Sequence, residues 1–146
     1  MQQYMLVIYI DEKMLNALPA GRYDEMMRDC LGHADGLRRS GKLLESQMLE
    51  DPPTAKSVRI RGGRRSVTDG PFAEAKEVLG GFNIIEAESL EEATEIAAHF
   101  PWAEVGCVEV RPIRSIAGVR SRVFSCHPER SEGLTRGMVD PSLRSG

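Results

Sequence analysis

The run Tyr4-Met-Leu-Val-Ile-Tyr-Ile10 is apolar at odd and even positions alike. Successive side chains of an extended chain point to opposite faces, so this segment makes a strand that must be covered on both sides. Helices of the same subunit can cover one face. The other needs a second layer, and a second copy of the chain would supply it, which makes a homodimer the expected state.

The rest of the chain alternates between the two periodicities. From residue 23 to 40, Tyr23, Met26, Met27, Cys30, Ala34 and Leu37 recur on one helical face, and Gly41 suits a left-handed cap. Residues 43–49 read as a short strand and Asp51-Pro-Pro53 as a break. Residues 57–61 and 65–68 read as a hairpin turning through Gly62-Gly63, with Val58 and Ile60 inward and Arg59 and Arg61 outward. Residues 81–87 form another strand, and Ser89-Leu-Glu-Glu92 has capping-box spacing ahead of the stripe Leu90, Ala93, Ile96, Ala97 and Phe100, which Pro101 stops. Residues 106–111 are the last strand, with Val108 and Val110 on one face and Cys107, Glu109 and Arg111 on the other. The order predicts an α+β domain over residues 1–113, ferredoxin-like, with two helices on one face of an antiparallel sheet.

Composition narrows the function classes. Beyond position 113 the periodicity fails, and residues 114–146 form a basic, low-complexity tail with too few apolar side chains to offset its ordering entropy, so it is expected to be poorly ordered. A net charge of -3 and 5% aromatics argue against a nucleic-acid surface, and Arg59, Arg61, Arg64 and Arg65 read as a solvated hairpin. No apolar run approaches the roughly 20 residues that cross a bilayer. Cys30, Cys107 and Cys126 show no framework spacing and the N-terminus carries no secretory pattern, so a reducing, cytoplasmic setting is expected. The histidines at 33, 99 and 127 lack zinc spacing, and neither glycine pair has the surroundings of a phosphate loop, so neither metal nor cofactor is expected.

Thr68-Asp-Gly-Pro-Phe-Ala-Glu-Ala-Lys-Glu-Val-Leu-Gly-Gly-Phe82 resembles the signature of the DGPF branch of the YCII-related proteins. Tyr4-Met-Leu, Leu37-Arg-Arg-Ser-Gly41, Val58-Arg, His99-Phe-Pro101 and Val108-Glu-Val-Arg-Pro112 extend the resemblance in order along the chain. It implies the dimeric α/β-barrel superfamily, in which two ferredoxin-like subunits pack sheet to sheet and enclose small-molecule clefts. It also implies a histidine and aspartate as acid and base. The histidine's slot falls on Cys30, with His33 one turn further on.

Asp69 reads two ways, as an Asx-turn residue before Gly70-Pro71 or as a pre-oriented carboxylate bordering a cleft. Cys30 and His33 join it as candidate catalytic residues, beside plainer roles as a buried hydrophobe and a helix-edge side chain. Phe72, Tyr9, Lys76 and Arg111 are the candidate substrate-binding residues; Arg111 shares a strand face with Glu109 and can instead pair with it. The resulting expectation is a cleft that binds a small organic molecule and performs cofactor-free acid-base chemistry. The alternative is a regulatory module associated with an extracytoplasmic-function sigma factor, which the resemblance to DGPF proteins also implies.

Overall fold

The computed structural model describes residues 1–71 and 75–117. Phe72 and the greater part of the 114–146 tail therefore lie outside the described residues. The chain divides into two units, Met1–Ile113 and Arg114–Gly146, and the first carries every strand described.

In chain order the elements are β1 (Gln2–Asp11), α1 (Glu12–Asn16), α2 (Arg22–Arg39), β2 (Leu43–Met48), β3 (Lys56–Arg61), β4 (Arg64–Asp69), β5 (Glu77–Ala87), α3 (Leu90–Ala98) and β6 (Gly106–Pro112), with short 3-10 helices at Pro52–Thr54 and Pro101–Val105. Four strands form one sheet in the order β2-β5-β1-β6, every pair antiparallel. The two outer strands each follow a helix, so each β-α-β crossing skips one strand, which is the ferredoxin-like arrangement. β3 and β4 form a separate two-stranded sheet.

Local chemistry explains the boundaries. Asp11 ends β1 and starts α1, its Oδ1 accepting from Lys13 N at 3.0 Å and Met14 N at 3.3 Å. α2 stops where Gly41, at φ +79°, lets its own N–H reach Arg38 O at 3.1 Å and the Lys42 N–H reach Leu37 O at 2.9 Å. Ser89 caps α3 by accepting from Glu92 N at 3.1 Å, while Glu92 Oε1 reaches back to Glu88 N at 2.6 Å.

One face of the large sheet meets the helices. Tyr4, Leu6, Ile8, Leu43, Ile85 and Ala87 pack against Met26, Ala34 and Leu37 of α2 and Ala93, Ile96 and Ala97 of α3. Phe100, Trp102 and Val105 close the end of this layer. A fully buried Leu6 or Ile85 contributes about 1.5–3 kcal/mol. The opposite face carries Met5, Val7, Phe82 and Ile84, all partly exposed in the single subunit.

The hairpin departs from the inward packing its alternation suggested. Val58 is 61% exposed and Ile60 63%, so the apolar side of β3 is uncovered within the subunit. Alternation marks which residues share a face, and it carries no information on whether that face has a neighbour.

Candidate functional site

A cavity of about 420 Å³ opens between the large sheet and α2. Ile8, Ile10, Val78, Gly81 and Asn83 floor it from β1 and β5. Tyr23, Met27, Cys30 and Leu31 project from α2, Leu15 from α1, Ser46 and Met48 from β2, and Trp102 closes one end. Glu12, Glu50 and Asp51 are exposed and form its rim. Among the described residues no lysine or arginine lines it.

Paired glycines shape the floor. The register of β1 on β5 slips between Ile8 and Tyr9, leaving Gly80 as an extra residue. A Cβ on Gly81 would stand 2.6 Å from Gln47 O, so β2 and β5 can meet here only through glycine. The slip turns Val78 back to the helix side, opposite Ile10, and both line the cavity.

Asn83 is the buried polar group of this floor. It is 2% exposed, flanked in the ladder by Leu6 and Ser46, and its carboxamide has no hydrogen-bonding partner among the described residues. Cys30 is half-buried, and its Sγ accepts from Trp102 Nε1 at 3.3 Å. Burial pushes the Cys30 thiol up from its ordinary value, while the Trp102 hydrogen bond pulls the other way. The group is a neutral thiol at physiological pH, which suits a lining residue better than a nucleophile. Tyr23 lies tilted beside Trp102, ring centroids 6.0 Å apart, so the end wall is aromatic.

The other described candidates are distributed elsewhere. His33 turns toward α3: its Nε2 donates to Ile96 O at 3.0 Å, and its ring meets Phe100 edge-on at 4.4 Å. Donation to a carbonyl fixes the proton on Nε2. Asp69 ends β4 on the separate hairpin, 81% exposed and ion-paired with Lys56 across the ladder, and it is absent from the cavity lining. In the adjoining bend Gly70 N donates to Ala55 O at 2.7 Å and Ser57 Oγ donates to Gly70 O at 2.8 Å.

Lys76 is 80% exposed, with its Nζ 3.7 Å from Asp11 Oδ2. Tyr9 and Arg111 share the sheet face away from the helices, Tyr9 opposite Cys107 and Arg111 opposite Met5. There Arg111 Nε donates to Glu109 Oε2 at 3.0 Å, and this hydrogen bond raises the guanidinium's already high pKa. Among the described candidates Cys30 alone lines the cavity.

Sequence reasoning passed over Asn83, Trp102 and Asp11. A signal existed for Asn83: it stands in the series Gly81, Asn83, Ile85, Ala87, a polar residue on the strand face that must be buried. Asp11 carried a cap signal, an aspartate directly before Glu-Lys-Met-Leu. Trp102 follows a proline after α3, and only the tertiary fold brings it to Cys30.

Sheet order, helix placement and cavity together define a ferredoxin-like α+β protein with an antiparallel four-stranded sheet. The chain belongs to the YCII-related domain family, which matches residues 2–117. It is 35% identical over 112 residues to an uncharacterised protein of Rhizobium meliloti (strain 1021), an alignment covering 75% of this chain and 90% of that protein. Among the described residues no helix is long and apolar enough to cross a membrane.

Proposed function

We propose that this protein is a homodimer in which each subunit binds a small organic molecule between its sheet and α2. The observation that carries the reading is the cavity of about 420 Å³, apolar over most of its lining and large enough for a ring-sized ligand. Homodimerisation is supported by the partly exposed Met5, Val7, Phe82 and Ile84 on the opposite sheet face and by the uncovered Val58 and Ile60. Free thiols at Cys30 and Cys107 suit a reducing, cytoplasmic setting.

Acid-base chemistry is the smaller part of the proposal. Its candidate group is Asp69, whose carboxylate already holds Lys56 within the subunit. A thermal-shift screen of small aromatic and alicyclic compounds tests the binding reading directly. A hit should stabilise the full-length protein and lose its effect in Met27→Trp, where the new ring fills the cavity. Stabilisation that persists in a folded Met27→Trp protein would place the ligand elsewhere. With a hit in hand, Asp69→Asn separates binding from chemistry: binding is expected to survive, and loss of turnover alone would give Asp69 a catalytic role.

A further inference from the structure

The carboxamide of Asn83 is out of place as a structural group. A buried amide offers two N–H donors and an accepting oxygen, and leaving them unanswered in an apolar setting is costly. At 2% exposure, with no side-chain partner among the described residues, Asn83 faces a cavity floored by Ile8, Ile10 and Val78. Whatever enters that cavity can answer the amide. The rim supplies a second constraint, because Glu12, Glu50 and Asp51 surround the mouth and no cation lines the interior among the described residues. An anion would meet three carboxylates on the way in and find no charge to pair with.

We propose that the cavity selects an uncharged, ring-sized apolar molecule bearing one group that both donates and accepts, of the carboxamide or lactam type, and that Asn83 is the residue that reads this group. The inference rests on the ligand-binding reading above and adds the ligand's chemistry to it. An amide edge matches the Asn83 side chain donor to acceptor and acceptor to donor. Tyr23 and Trp102 give the apolar body of the ligand an aromatic wall.

The test uses three probes that share one ring and differ in one substituent: 4-methylbenzamide, p-xylene and 4-methylbenzoate. Binding to the full-length protein is followed by Trp102 fluorescence, Trp102 being the sole tryptophan of the chain, and by calorimetry. The benzoate is expected to bind weakest. Asn83→Leu should shift the amide-to-xylene affinity ratio about tenfold toward p-xylene. The same variant should melt higher without ligand, since hydrocarbon of similar volume replaces an unanswered amide.

Asn83→Asp gives a near-isosteric reading that does not depend on the leucine variant folding: it should weaken the amide about tenfold and leave p-xylene unchanged. An unaltered amide-to-xylene ratio in both variants, with p-xylene still bound, overturns the role of Asn83 and leaves the cavity reading standing. A lower melting temperature for Asn83→Leu makes the amide structural and overturns the proposal. Failure of all three probes to bind the wild-type protein overturns the cavity reading as well.

Discussion

Asp11 and Asp69 bring the same carboxylate to opposite ends of the burial scale. Asp11 is 2% exposed and answers two backbone N–H groups of α1, whereas Asp69 is 81% exposed and meets a lysine at the surface. A helix cap is worth more than a solvent-screened ion pair. Asp11→Ala should therefore cost about 1–2 kcal/mol in urea unfolding. Asp69→Ala should change stability by less than about 0.5 kcal/mol.

Cys30 follows the same logic of burial. Because its folded pKa lies above the unfolded one, its contribution to stability is complete below the unfolded value and is lost as pH rises through the alkaline range. Cys30→Ala removes that titration, so the wild-type and mutant stability curves should converge or cross only at alkaline pH. Iodoacetamide should modify Cys30 slowly at pH 7.5, and a cavity ligand should slow it further. Rapid alkylation at that pH would contradict the assigned neutral thiol.

At the scale of elements, α3 and β5 carry the predictions. The hydrogen bond from Glu88 N, and then the ion pair with Lys42, hold Glu92 below the usual carboxylate range. Its stabilising effect is present above the unfolded pKa and disappears as pH falls through the lower, folded one. Glu92→Gln should accordingly flatten the acid limb of the stability curve below about pH 4.5, measured by thermal melts across pH. At Gly81 the contact is with backbone rather than with a flexible side chain. Gly81→Ala should cost about 1–3 kcal/mol and disturb ligand binding by prising β2 from β5.

These elements were legible in the sequence because each carries its own period, cap or breaker. Both long helices, the Gly62-Gly63 hairpin and the Ser89 cap fall where the residues put them. β5 is the instructive exception: the charged stretch after the signature loop hid its first residues, and the strand begins at Glu77. The site was less legible, for a physical reason. Cys30 could be placed on an inward helical stripe, but a cavity exists only where α2, β2 and β5 fail to fill the space between them, a property no single segment encodes. Asp69 drew attention through its motif, while its exposure is set by a hairpin that, among the described residues, pairs only with itself.

For the molecule as a whole, the open question is what covers the second face of the sheet. Val7 and Phe82 face each other across β1 and β5, with Met5 and Ile84 as the next pair on the same face, so the apolar stripe runs along the two central strands. Polar groups flank it: Gln47 and Glu45 toward β2, Glu109 and Arg111 toward β6. An apolar centre with a polar rim is the anatomy of an interface, and two copies related by a twofold axis would bring like stripes together. Phe82→Glu would place a charge at the middle of such a contact while leaving the helix-facing core untouched. The wild-type protein should sediment as a dimer at micromolar concentration, and Phe82→Glu should sediment as a monomer with a lower melting temperature. A dimer formed through this stripe would be linked to folding, so wild-type melting should also rise with protein concentration, and the mutant's should not. If the wild-type protein sediments as a stable monomer at tens of micromolar, the stripe needs another partner and the homodimer is wrong.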